Sequence, residues 1–252
     1  MATPRSRHAA RLRADRRRAQ ARARRFAVGA VVAILAIVTL ALTAFDNQSS
    51  PAVSRPAPLP VRAAPPDSRV LATVANLRVQ SPVAQGGVTA IGLHATEDGA
   101  LELKPVGPQR NEGILARLWR RITGATRTGL AWYQLSEGPL QTLDVGAVAG
   151  TDVYAPVDGT VVAIRDQVIS ARKVGAEIEL RPTSAPSLVV SIANVRPDPA
   201  LSVGANVAAG SSKLGTVSNI SRFERQSLAK YAADNGNNVA VEVFPSATLG
   251  VP

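Results

Sequence analysis

The sequence predicts a mainly β domain carried behind a single transmembrane helix and a Pro-rich linker. Three observations predict it. Residues 26–45, FAVGAVVAILAIVTLALTAF, contain no charged side chain. Residues 46–68, DNQSSPAVSRPAPLPVRAAPPDS, are rich in Pro, Ala and Ser. From Arg69 onward the chain becomes a series of short apolar or alternating runs punctuated by Gly, Pro, Asn and Asp, the pattern of strands separated by turns.

At about 1.5 Å per helical residue, the apolar run matches a hydrocarbon layer of roughly 30 Å. A secretory signal has a shorter apolar region ending at a small-x-small cleavage site. The stretch Leu42-Thr43-Ala44 before Phe45 fits that poorly, so an uncleaved anchor is expected. The linker cannot bury much apolar surface and favours extended, polyproline-like conformations, which makes it a stalk.

Composition separates two possible readings of a basic chain. The formal charge is +11, but residues 1–25 alone hold ten Arg against one Asp. The rest of the chain is nearly neutral, and a nucleic-acid-binding domain is not expected. A basic flank before an apolar span stays on the cytoplasmic side. Residues 1–25 are therefore expected to be a cytoplasmic arm, and the chain after residue 45 to be extracytoplasmic at a cell membrane. Cysteine is absent, which excludes a disulfide scaffold, a thiolate zinc site and a cysteine nucleophile.

Residues 69–144 are expected to form a β-rich region with one amphipathic helix. RVLATVANLRV, GGVTAIGLHA and GALELKPV look like strands, with Gly86-Gly87 and Asp98-Gly99 as hairpin-type turns. In EGILARLWRRITG, residues Ile114, Leu115, Leu118, Trp119 and Ile122 share one helical face. Trp119, Trp132 and Tyr133 are expected to be packing residues. Residues 145–252 form the second β region. SRFERQSLAKYAADNGN predicts a helix N-capped by Ser221, and NVAVEVF a central closing strand.

Two turn-rich motifs carry most of the information. GTDVYAPVDGTVVAI, residues 150–164, joins two strand-like runs through an Ala-Pro turn and an Asp-Gly turn. LSVGANVAAGSSKLGTVS, residues 201–218, spaces Gly204, Gly210 and Gly215 where short strands reverse. With LVVSIANV between them and NVAVEVF after them, the order resembles that of the lysostaphin-like zinc endopeptidases of peptidoglycan, across about residues 145–246. The resemblance implies a small β-barrel or sandwich of the duplicated hybrid motif type.

In that family two His and one Asp hold zinc, in H-x-x-x-D and H-x-H motifs, with a further His near the bound water. The resemblance aligns Asp152 with the family's Asp, and four residues earlier stands Val148. Asn238 and Ala240 stand at the H-x-H positions, and Asn194 at the His of the middle strand. Asp152, Tyr154, Asn194, Asn238 and Ala240 are thus the expected lining of an inherited groove. No catalytic, metal or cofactor residues are expected, because one carboxylate with at most His94 falls short of a zinc ligand set.

Other chemistries find little support. No G-x-S-x-G elbow is present for a serine hydrolase, and Glu177 with Glu179 look like a solvated strand face. The expected function is a membrane-anchored, catalytically inactive peptidase-like domain that binds peptidoglycan, a cell-wall hydrolase or an envelope partner. Two alternatives remain open: a cell-wall metalloendopeptidase with an atypical metal site, and a barrel-type adaptor of an envelope transport complex. Against the adaptor, the sequence lacks both a prosthetic-group hairpin and a long heptad segment.

Overall fold

The computed structural model describes residues 69–96, 99–113 and 129–247. All of them belong to the compact unit Pro56–Pro252. The cytoplasmic arm, the apolar span, the linker and the amphipathic segment beginning at Ile114 lie outside the described residues. Among the described residues no helix is long and apolar enough to cross a membrane.

The described fold is mainly β. Strands β1 (Val70–Val74), β2 (Leu77–Gln80) and β4 (Lys104–Pro105) form a three-stranded sheet in the order β2-β1-β4. A larger ten-stranded sheet contains β3 (Val88–His94), β5 (Tyr133–Gln134), β6 (Thr142–Ala147), β8 (Gly159–Ile169), β9 (Arg172–Pro182), β10 (Leu188–Pro197), β11 (Asn206–Val207) and β13 (Asn238–Pro245). Their order is β11-β8-β9-β10-β13-β6-β3-β5, while β7 (Asp152–Tyr154) and β12 (Lys213–Val217) branch from β10 through β12. The boundary expected at residue 145 falls inside β6, which pairs with β3 on one side and β13 on the other.

Period-two alternation builds the core. In β13, Val239, Val241 and Val243 are fully buried, while Ala240 and Glu242 alternate with them on the opposite face. Leu143 and Val145 in β6, Ile178 and Leu180 in β9, and Val190 and Ile192 in β10 complete the same apolar layer. Each buried aliphatic side chain of this size contributes about 1.5–3 kcal/mol. The sequence expectation that NVAVEVF is a central strand holds, since β13 lies between β10 and β6.

Several local expectations are corrected. Gly86-Gly87 is not a hairpin turn: Gln85–Gly87 is a 3₁₀ turn that leads from β2 in the small sheet to β3 in the large one. Gly159 does not need a positive φ. A Cβ there would collide with the Arg181 carbonyl oxygen, so Gly permits the close approach of β8 to β9. GALELKPV yields only the two-residue β4.

The helix expected after Ser221 is replaced by two 3₁₀ turns, Ile220–Arg222 and Ser227–Lys230. Ser221 is not a cap. Its backbone N–H donates to Asn237 Oδ1 at 3.0 Å, and its hydroxyl lies 3.2 Å from Asn219 Oδ1. Leu228 explains why tight turns win here. It is fully buried, and its methyl carbons occupy the space that a Cβ at Gly92 or Gly146 would need. Packing into that glycine notch outweighs the helix preference of RFERQSLAKYAA, which so short a segment cannot realise on its own.

Candidate functional site

The face of the large sheet opposite its apolar core forms a cleft of about 410 Å³. Strand register decides what lies in it. Ala240 stands opposite Asp144 in β6 and opposite Ala193 in β10. Glu242 stands opposite Ser191, and Asp144 is also opposite Gly92 in β3. The methyl side chains of Ala193 and Ala240 thus leave an open floor, with Asp144 and Glu242 beside it.

The acids of this face are partnered. His94 Nε2 lies 3.4 Å from Asp144 Oδ2, while Nδ1 is 2.9 Å from the Ala95 carbonyl, to which it donates. The hydrogen bond to Asp144 is the main reason the imidazole pKa is raised to about 9, against the opposing effect of burial. With one nitrogen on Asp144 and the other on a carbonyl, both contacts favour the protonated ring, and neither nitrogen of His94 is turned toward a nucleophile. The Thr142 hydroxyl donates to Glu242 Oε1 at 2.5 Å.

Glu177 and Glu179 are not the solvated strand face expected from the sequence. Glu179 has 0% exposure and pairs with Arg165, and Glu177 Oε1 accepts the Ser191 hydroxyl at 2.5 Å. Burial raises the Glu179 pKa, opposed by the Arg165 charge. Sequence alternation placed both acids on one face and could not tell that Arg165 of the neighbouring strand covers one of them.

A chain of side-chain amides crosses the cleft. Gln167 Nε2 donates to Asn194 Oδ1 at 2.8 Å, and the Asn194 N–H donates back to Gln167 Oε1 at 3.1 Å. Asn194 Nδ2 donates to Asn238 Oδ1 at 2.8 Å. Asn238 Nδ2 lies 3.3 Å from Gln226 Oε1 and 3.2 Å from the Gly236 carbonyl. Asn194 has φ 65, in the left-handed region that Asn tolerates better than most residues. It sits where β10 changes partner, pairing with β13 up to Ala193 and with β12 from Val195.

Of the five expected groove residues, Asn194, Asn238 and Ala240 line this cleft together. Asp152 and Tyr154 are not among its lining residues. Asp152 lies on β7, where Lys213 Nζ of β12 approaches its Oδ1 to 2.8 Å. Tyr154 is buried beside it, with its backbone N–H on the Pro82 carbonyl, and burial raises its phenol pKa. Sequence reasoning missed Asp144 as a cleft residue. The available signal was its place in a strand, TLDVGA, where it alternates with the apolar Leu143, Val145 and Ala147 and so faces away from the core.

A zinc ion of the family type does not fit these residues. Ala240 has no donor atom, and the Asn194 and Asn238 amides are engaged with each other. Asp144 and His94 are paired. Among the described residues no three His, Cys, Asp or Glu side chains are grouped so as to hold a metal ion.

The fold and site thus define a mainly β domain with a polar, amide-crossed cleft on one sheet face. No family model matches the chain, and no curated protein matches it. Solved structures similar to it include the SpoIIQ–SpoIIIAH pore-forming complex, at 20% identity and TM-score 0.28, covering 40% of this chain and 54% of that one. Csd3 from Helicobacter pylori is 14% identical with TM-score 0.30, covering 72% of this chain and 32% of that one. The M23 metalloprotease pseudoalterin is 17% identical with TM-score 0.29, covering 44% of this chain and 58% of that one. The chain spans less than two thirds of each of these structures.

Proposed function

We propose that this chain is a lysostaphin-like domain that binds rather than cuts, held at the outer face of a cell membrane by residues 26–45. Its ligand is the peptide part of peptidoglycan or an envelope protein that displays a similar extended segment. The observation that carries this reading is the lining of the cleft. Asn194, Asn238 and Ala240, all at positions where the resemblance expects imidazoles, meet in one open depression. A carboxamide chain there supplies donors and acceptors suited to a peptide backbone and supplies no activated nucleophile.

The test is retention of the full-length protein, in detergent, by purified peptidoglycan sacculi and by envelope extracts. Retention by either supports the reading, and failure in both sinks it. Elemental analysis of the same preparation decides the enzymatic alternative: stoichiometric zinc together with cleavage of wall peptides would replace a binding domain with an atypical endopeptidase.

A further inference from the structure

A second pocket, of about 500 Å³, adjoins the cleft and is lined in part by Leu135, Arg225, Gln226, Ser227, Lys230 and Tyr231. Leu135, Arg225, Gln226 and Ser227 line both depressions, so the two are continuous. Their electrostatics differ. The cleft carries the carboxylates of Asp144, Glu224 and Glu242 along with His94 and the shared Arg225. The second pocket carries two cations, Arg225 and Lys230, and no carboxylate.

Neither cation has an ion-pair partner among the described residues. Two hydroxyl-bearing residues, Ser227 and Tyr231, line the same pocket. The Tyr231 ring stacks on Tyr133 with centroids 4.1 Å apart and an interplanar angle of 12°. Asn111 Nδ2 lies 3.5 Å from Tyr231 Oη, which it approaches as a donor, so the phenol proton remains to be donated elsewhere. Ser227 is an exposed residue that lines both the pocket and the cleft.

We propose that this pocket is a carboxylate site, which holds the terminal carboxylate of an extended peptide whose remaining length lies along the cleft. The proposal rests on the reading of the cleft as a peptide-binding groove and adds the polarity of the ligand. Two cations with two hydroxyls and no competing acid suit an oxyanion. The cleft next door sets three carboxylates against His94 and the shared Arg225, so it offers no basic track for a polyanion, and the ligand carries its negative charge at one end. That pattern suits a peptide with a free C-terminus better than a nucleic acid, whose charge repeats along its whole length.

The experiment uses the full-length protein in uncharged detergent micelles and the tetrapeptide Ala-Ala-Lys-Ala, with a neutral fluorophore at its N-terminus. Anisotropy compares the free acid with the C-terminal amide. The free acid is expected to bind about three-fold or more tighter, the scale of two exposed ion pairs. The preference shrinks as salt rises from ~10 to ~300 mM. In the Arg225→Gln/Lys230→Gln variant, acid and amide bind alike. The acid–amide comparison on the unaltered protein requires no variant to fold. Equal binding, or none, by a protein that still retains sacculi removes the carboxylate site and leaves the cleft reading in place. Loss of sacculi and envelope retention as well removes both.

Discussion

The imidazole Nε2 of His94 faces Asp144 Oδ2 at 3.4 Å across the β3–β6 pair, in the wall of the cleft. Asp144 and Glu242 together hold a positive charge there, and the histidine pKa is raised to about 9. A group whose folded pKa exceeds its unfolded value of 6.5 stabilises fully below the unfolded value, and that contribution is lost as pH rises through the folded one. Urea unfolding of the native protein and of His94→Gln is therefore expected to differ most near about pH 6 and to converge above about pH 9. An NMR titration of the His94 ring gives the direct reading. Asp144→Asn moves its midpoint down, and an unchanged midpoint would remove the assigned cause.

Asn238 has 2% exposure and makes contacts with Asn194, Gln226 and the Gly236 carbonyl. Truncation strands buried partners, a cost of about 1–3 kcal/mol. Asn238→Ala is expected to lower thermal stability by that amount and to weaken sacculi retention. Gln167→Ala, which removes the other end of the amide chain, has a smaller effect on stability because Gln167 is only half-buried. Equal melting of Asn238→Ala and the native protein argues against the amide chain as a cleft support.

Leu228 and Gly146 are two sides of one contact. A Cβ at Gly146 would stand 2.8 Å from Leu228 Cδ2 and 2.7 Å from Thr89 Oγ1. Gly146→Ala is expected to cost about 1–3 kcal/mol as overpacking. Leu228→Ala is expected to cost about 2–5 kcal/mol through the cavity it leaves. Combining the two relieves part of the overpacking, so the double variant is less destabilised than the sum of the singles. Strict additivity in denaturant unfolding would contradict the notch.

Strand register supplies a metal test that separates Asp144 from Asp152. Ala240 stands opposite Asp144, next to His94. Ala240→His therefore adds a nitrogen donor to an existing carboxylate and imidazole, the three protein ligands an open zinc site uses. The variant is expected to bind zinc in equilibrium dialysis. Adding Asp144→Asn abolishes that binding, and adding Asp152→Asn does not. The opposite pattern would return Asp152 to the site.

Much of the core was legible in the sequence because its cause is local. The valines of NVAVEVF alternate with polar residues, so the strand and its apolar face follow from period two alone. Trp132 was expected to be packing, and it is buried with its indole N–H on the Gly107 carbonyl at 3.2 Å. Asn and Ala at positions 194, 238 and 240 were readable as residues without imidazoles, and the cleft brings those three together.

What the sequence could not supply is the pairing between distant strands. Asp144 and Asp152 both sit in short apolar strands, and nothing local says that β6 lies against β13 while β7 turns away to pair with β12. The same holds for Glu179, whose burial depends on Arg165 of the neighbouring strand, and for the segment after Ser221, where a glycine notch on β3 and β6 receives Leu228. By itself, then, the sequence determined the β-rich class, the alternation of the core and the lack of imidazoles at three positions. Only the tertiary structure decided which carboxylate faces the cleft, because a side chain's face is set by its own strand and its neighbours by long-range register.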